Sequence, residues 1–588
     1  MKLSKNRYVF LNITFFITFV SFFWFQDVKY GFTTMDYSFQ LGALQRLRLG
    51  YIPHKDFFFG LNIGSIFTTN LIHFFLDKYN FQITRVITLS MYPLISYFLL
   101  NLSNNFKIKS DLLKLLFIYT SAIVNLHFIY IFSFYTIDGI FFIALGSYLI
   151  FNSKTTKPRT IIGFVFLSLA ISSKLIFVIA VFSMVFFHFI KYRNLPVFYY
   201  LFVFLFQALY IFWIALNDAI PFLINDLRTD FGLPYKSFIH HLGFFEKDLI
   251  LISILLVGGL VSIFKNDVTN KIKNAVILFL YFCVIFLNYD FSIVEYRPFT
   301  NIFNFTLIVG IFLSFKIKSI PTSFLPLLII YFTEASAMVS QGYRWGQWLI
   351  GLNIMATYLI VDELSHPDNN IKENRSFAYL KIHNYLRLDF IGIAKKPNSR
   401  NIDNFKTILI AILISVISIQ TTLFRIDTTY YNFSKNIYTS NLYNLNPVFG
   451  NIYTTPEIYD YLDSLTECID NEINKKISVF PDNPQVAYLF DLDDPLPLDW
   501  FISGTKASSK ITEKIISKVE NNKDFIIFLQ SYKVNEIYKG LVENQDIYNN
   551  QYLNSLDKDS NSYKIISSMI ANSKNEYETC SSFRILRY

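Results

Sequence analysis

Two carboxylates, Asp36 and Asp56, bracket a short stretch that follows the first apolar segment directly. A carboxylate placed against a hydroxyl can take its proton, and a nearby cation can hold a departing anionic group such as a phosphate. Cations suited to the second task are scattered along the chain: Lys174, Arg297, Arg344, and Arg46 or Arg48. Arginine would grip a phosphate with two hydrogen bonds, whereas lysine would act as a point charge. Each residue also has a plainer reading. Asp36 is a helix N-terminal residue type and can cap the helix that follows it. Asp56 can order its loop as readily as it can bind an acceptor. Arg344 lies between Tyr343 and Trp345, where a snorkelling interface anchor is common. Glu334 falls near the end of an apolar segment, where carboxylates are rare and usually functional, unless Arg344 simply pairs with it.

The stretch carrying the two acids predicts its own local structure. Thr33, Thr34 and Asp36 precede apolar positions Phe39, Leu41, Leu44 and Leu47 at helical spacing, Gly50 stops the helix, and Pro53 sets a turn before His54-Lys55-Asp56. The expectation is an amphipathic helix over 37–49 lying on a membrane surface, with a carboxylate at each end. His54, His240 and His241 have no ligand spacing and read as loop residues.

The chain around this stretch is built for a bilayer. Of 588 residues, 53% are hydrophobic and only 16% charged; mean hydropathy is +0.37. A soluble protein of this length does not need so much apolar residue. The net charge of +9 does not point to nucleic acid. The basic residues fall in short loops between apolar segments, as anchors on the inner face do. Apolar segments near 8–25, 82–103, 112–132, 137–152, 160–174, 175–190, 196–217, 248–264, 273–290, 299–315, 319–338, 345–361 and 406–423 give about thirteen spans. Residues 61–77 are apolar but carry Asn62, Thr68, Thr69, Asn70 and His73, and read as a surface or re-entrant helix. With 61–77 kept outside, Lys107 and Lys109, Lys154 to Arg159, Lys191 and Arg193, Lys265 to Lys273, Lys316 and Lys318, and the basic segment 362–405 all fall on the cytoplasmic side. The N-terminus is then inside, and the loop 26–81, the tip at Lys174 and everything after 423 are outside. The first apolar segment has no small-residue cleavage site and reads as a retained span.

Residues 424–588 are a separate expectation: a small extracytoplasmic α/β domain with a mostly parallel sheet, from helix-like and strand-like pieces in alternation. Of the three cysteines, Cys468 and Cys580 lie here, where an oxidising compartment allows them to pair. No Cys/His cluster suggests zinc.

An acidic residue just after the first span, then a helix of the type Ala-x-x-x-Leu-x-x-Gly, then Pro-x-x-Asp-Phe, resembles the first external loop of GT-C membrane glycosyltransferases. The branch it is most similar to contains protein O-mannosyltransferases and lipid A aminoarabinose transferases. Gly163 to Lys174, GFVFLSLAISSK, resembles the family's small-residue helix ending in Lys. The resemblance covers most of 1–423; after Phe58 the chain departs from it, reading Gly60-Leu61-Asn62-Ile63-Gly64. It implies a GT-C-type polytopic helical domain at the cytoplasmic membrane that takes a sugar from a polyprenyl-phosphate donor, with inversion, to a lipid, glycan or protein acceptor on the outer face. Asp36 is then the base, Asp56 a second catalytic-site acid, and Lys174, Arg344, Arg297, Arg46 and Glu334 the substrate-binding set. No cofactor is implied. A divalent metal between Asp36 and Asp56 is the lesser reading, because there is no Asp-x-Asp pair and Tyr37 follows Asp36. The alternatives are a lipid or glycan transporter, for which the internal repeats are missing, and a lipid-linked-glycan ligase or polymerase.

Overall fold

The computed structural model describes residues 4–32, 36–58, 63–66, 69–76, 78–102, 111–126, 135–151, 156–191, 196–230, single positions between 329 and 426, 434–472, 476–480, 485–497, 509–521, 524–530, 561–574, 578–581 and 583–588. The spans expected between 248 and 423 lie largely outside these residues, as do Arg297, Glu334 and Arg344.

The described part is mostly helical. In chain order the helices are α1 (Lys5–Phe23), α2 (Asp36–Arg48), α3 (Ile63–Ile66), α4 (Asn80–Asn101), α5 (Asp111–Leu126), α6 (Tyr135–Phe151), α7 (Lys157–Ser173), α8 (Val178–Lys191), α9 (Leu205–Leu216) and α10 (Ile220–Asp230). Among the described residues, three stretches are long and apolar enough to cross a membrane: Asn6–Val28, Asn80–Asn101 and Val197–Leu216. Three shorter apolar helices accompany them, over Lys114–Leu126, Tyr135–Phe151 and Leu175–Phe189. α1 begins where Ser4 accepts a bond from the Arg7 amide. It exposes Val9, Phe10, Ile13 and Ile17, as a helix facing lipid would. Within 61–77 the described residues form α3 and a 3-10 turn at Thr69–Phe74.

Small residues let α6 and α7 approach closely. A Cβ on Gly146 of α6 would sit 2.9 Å from the Gly163 carbonyl of α7, so the two backbones touch where side chains are absent. The pair is antiparallel. Arg159, at the start of α7, lies over the Tyr148 ring near the end of α6. Lys174, just past the end of α7, bonds to Thr136 at the start of α6. α1 and α4 follow the same rule: Arg85, early in α4, donates to the Val28 and Gly31 carbonyls beyond the end of α1. The end of α1 and of α7 and the start of α4 and of α6 therefore share one end of the bundle.

The C-terminal part contains α11 (Pro456–Asp470), α12 (Gln485–Leu489), α13 (Ser509–Asn521) and α14 (Asn561–Asn572). A two-stranded ribbon joins β1 (Ser440–Asn441) to β2 (Tyr453–Thr454), and a four-stranded sheet is ordered β3 (Ile477–Phe480), β4 (Ile526–Gln530), β6 (Phe583–Arg587), β5 (Glu578–Cys580). The expected mostly parallel sheet is corrected here. β3 and β4 are parallel, but β4–β6 and β6–β5 are antiparallel, because β5 returns through a tight turn into β6 at the chain's end. The run Ile526-Ile527-Phe528-Leu529 is apolar throughout because both faces are covered. Phe528 faces the core shared with α11, while Ile527 and Leu529 face Ile515, Val519, Ile565 and Met569 of α13 and α14. Cys468 of α11 and Cys580 of β5 are bonded, with Cα atoms 5.8 Å apart. The larger apolar core runs without a break from Phe19 to Ile585, across the boundary drawn at 423.

Candidate functional site

α2 starts at Asp36, so the acid heads the helix as its residue type predicts; its side chain lies outside the described residues. The rest of α2 departs from the expected surface helix. Gln40, Leu41, Ala43, Leu44, Gln45 and Arg46 are all buried, on every side of the helix rather than along one stripe. The reason is that the C-terminal segment 488–497 covers it. Gln45 Nε2 donates to Asp491 (2.9 Å), Arg46 to Asp494 (2.9 Å) and to the Leu496 carbonyl (2.6 Å), and the Tyr51 hydroxyl to Asp493 (2.5 Å). Gly50, at φ +85°, then ends the helix turn.

Arg46 is not on an open surface. Its guanidinium is enclosed by Asp494, the Leu496 carbonyl and the Phe57 ring, so it holds two parts of the protein together. Asp494 also accepts from Ser478 Oγ and the Leu496 amide. Burial pushes its carboxyl up, and Arg46 offsets that. Hydrogen bonding to Asp493 and burial together push the Tyr51 phenol up, burial contributing most. Arg48, two residues on, stays exposed.

A second contact of the same kind lies nearby. His73 is buried, with Nδ1 2.8 Å from the Tyr488 hydroxyl and Nε2 3.2 Å from Thr84 Oγ1. Asn80 donates to the same Tyr488 oxygen. Burial, helped by the field of Arg48, pushes the imidazole down to about 3, so His73 is neutral at ordinary pH.

Lys174 meets the expectation of a cation at the end of α7. Its backbone leaves the helix in an extended conformation. Its side chain is 8% exposed and donates to Thr136 Oγ1 (2.8 Å) over the Tyr135 ring. Asp138 is buried in the same first turn of α6. α3 of the first loop packs against this end of α7: a Cβ on Gly64 would lie 2.6 Å from Ser172 C and Ser173 N. The small residues before Lys174 thus bring the first loop up to the lysine.

Asp56 is exposed. Its Oδ2 accepts from the Ile52 amide (2.6 Å), which favours the loop-ordering half of its two readings. The neighbouring His54 lies in a turn, as expected of a loop residue. It is buried between Asp226 and Tyr210.

Thr136, Asp138, Tyr210, Asp226 and the buried Asp27 carried no motif in the sequence that set them apart. Asp138 did carry one signal, a carboxylate at the edge of an apolar segment. The acids at 491, 493 and 494 carry no motif either, and only their apolar neighbours Leu492 and Leu496 hint at burial. Among the described residues no group of three His, Cys, Asp or Glu could hold a metal ion. No protein-family model matches the chain, and neither does any curated protein or solved structure.

Proposed function

We propose that the chain is an inverting membrane glycosyltransferase that moves a sugar from a polyprenyl-phosphate donor to a hydroxyl acceptor on the outer face of the cytoplasmic membrane. The acceptor oxygen attacks the anomeric carbon, its proton passes to the Asp36 carboxylate, and the bond to the phosphate oxygen breaks with its electron pair leaving on the polyprenyl phosphate. Lys174 meets the charge that develops on that phosphate, joined by Arg344 and Arg297, whose short loops fall on the outer face when 61–77 is kept outside. Glu334 serves the substrate side of the cavity. The acceptor is a lipid, glycan or protein, and Asp56 lines its approach.

One observation carries the reading most of the way: the loop whose helix starts at Asp36 packs, backbone on backbone, against the end of α7 that presents Lys174. A candidate base and a candidate phosphate cation, far apart in sequence, are thus served by the same end of the bundle. Lys174 sits in a low-dielectric setting with its hydrogen bond to Thr136 already made, which suits a charge that must act without reorganising. The Cys468–Cys580 bond supports an extracytoplasmic C-terminal part.

Profiling of lipid-linked and envelope glycans in a deletion strain tests the proposal. Its expected result is accumulation of a polyprenyl-phosphate sugar and loss of that sugar from one acceptor class. Identical profiles in deletion and wild-type strains would refute it.

A further inference from the structure

His54 is held in a way that a turn residue does not require. Its φ is +69°, a left-handed conformation that Gly or Asn adopts with less strain. The side chain is 1% exposed. Nδ1 lies 2.8 Å from Asp226 Oδ2 of α10, and Nε2 lies 2.7 Å from the Tyr210 hydroxyl of α9. A strained backbone of this kind persists where surrounding contacts over-determine it.

Those contacts converge on one turn. Ile52 packs on the small apolar cluster of Ile214, Ala219 and Leu223 at the α9–α10 corner. Lys55 Nζ donates to the Asn217 carbonyl (3.1 Å). Lys514 of α13 donates to the Lys55 carbonyl (2.9 Å). Burial lowers the Lys514 ammonium, while Asp226 and Asp56 raise it, so one lysine lies in the field of both acids. The same turn carries Asp56, whose carboxylate closes it through the Ile52 amide. A helix corner, the first loop and the C-terminal part therefore meet at residues 52–57, and His54 is the buried polar group at the centre.

We propose that His54 is a positioning residue: with Asp226 and Tyr210 it clamps the turn 52–57 to the α9–α10 corner and so fixes Asp56 on the acceptor side of the site. The acceptor part rests on the glycosyltransferase reading; the clamp itself does not.

Two measurements on full-length protein in nanodiscs separate them. The first is amide hydrogen exchange of peptides covering 51–58 in wild type, His54→Gly, Asp226→Ala and Tyr210→Phe. Loss of a buried, charge-assisted hydrogen bond corresponds to roughly 10- to 100-fold faster local opening, so exchange over 51–58 is expected to accelerate in His54→Gly and Asp226→Ala, and less in Tyr210→Phe. Peptides of α11 are expected to stay unchanged. A residue that merely fills a left-handed turn gives the opposite result, since Gly relieves the backbone there; slower or equal exchange in His54→Gly overturns the clamp. The second is sugar transfer from a polyprenyl-phosphate donor. The expected change is an acceptor KM raised roughly 10-fold or more by the lost positioning, with donor KM unmoved. Faster exchange with an unmoved acceptor KM overturns the positioning role. Faster exchange with no transfer by any protein, wild type included, keeps the clamp and overturns the proposed function.

Discussion

Removing either partner of the Arg46–Asp494 pair should be costly, but unequally so. Arg46 is enclosed by Asp494, the Leu496 carbonyl and Phe57, and a guanidinium cannot shed its proton at any relevant pH. Asp494→Ala therefore leaves a buried guanidinium without the carboxylate that balances it, a loss of about 3–5 kcal/mol. Arg46→Met leaves a carboxyl that keeps its bonds from Ser478 and the Leu496 amide. Burial already pushes that group up, so it can take a proton, and the loss falls to about 1–3 kcal/mol. The pH dependence separates the two variants further. Without Arg46 the folded-state carboxyl titrates higher still. Its contribution is then fully present below the unfolded value near ~3.9 and is lost as pH rises through the folded one. Arg46→Met should lose most, relative to wild type, at pH 8 and least at pH 5, while Asp494→Ala should show no such trend. Limited proteolysis in nanodiscs reads the exposed population directly. Since 1.4 kcal/mol is tenfold, Asp494→Ala should be cleaved roughly 10²- to 10³-fold faster. Cleavage of Asp494→Ala within twofold of wild type, or Arg46→Met as the worse variant, would show that the buried guanidinium does not depend on Asp494.

Gly64→Ala should lower the unfolding temperature by an overpacking penalty of about 1–3 kcal/mol, because its Cβ would meet α7 backbone rather than a movable side chain; an unchanged midpoint counts against the α3–α7 contact. Purified protein should take no alkylating label at Cys468 or Cys580 until reduced. Reduction should destabilise the C-terminal part by about 2–5 kcal/mol in denaturant titration, and labelling of both residues before reduction contradicts the bond. His73, held down to about 3 by burial, contributes stability that is present above its unfolded value near ~6.5 and is lost as pH falls toward the folded one. His73→Asn should accordingly flatten the acid side of the stability profile between pH 6 and 4, and an unaltered profile rules that contribution out.

What the sequence disclosed and what it hid divide along physical lines. Segment chemistry is local, so the helices α1 and α4 to α9, the head of α2 at Asp36, the stop at Gly50 and the arrival of Lys174 at a helix end were all legible in neighbouring residues. Burial against a distant segment is not local. α2 reads as amphipathic because Leu41, Leu44 and Leu47 mark one face, yet Gln45 and Arg46 on the other are buried by acids more than four hundred positions later. Nothing in either stretch states that they meet. The same limit hid His54, whose partners Tyr210 and Asp226 come from α9 and α10. The strands of the C-terminal sheet were visible as apolar runs, but their direction was not. An α/β alternation suggests parallel pairing, and the short return of β5 into β6 reverses it.

Asp36→Asn separates a catalytic base from a helix cap. Asn keeps the shape of the side chain and caps a helix about as well as Asp, but it cannot take the acceptor proton. Sugar transfer from a polyprenyl-phosphate donor should be measured in membranes holding equal amounts of each protein, with donor binding followed separately. If Asp36 is the base, expression and donor binding stay normal, turnover falls by roughly 10²-fold or more, and Asp56→Asn, whose carboxylate serves its own turn, loses less. Transfer by Asp36→Asn within a few-fold of wild type would rule out Asp36 as the base and leave it only the helix-start role.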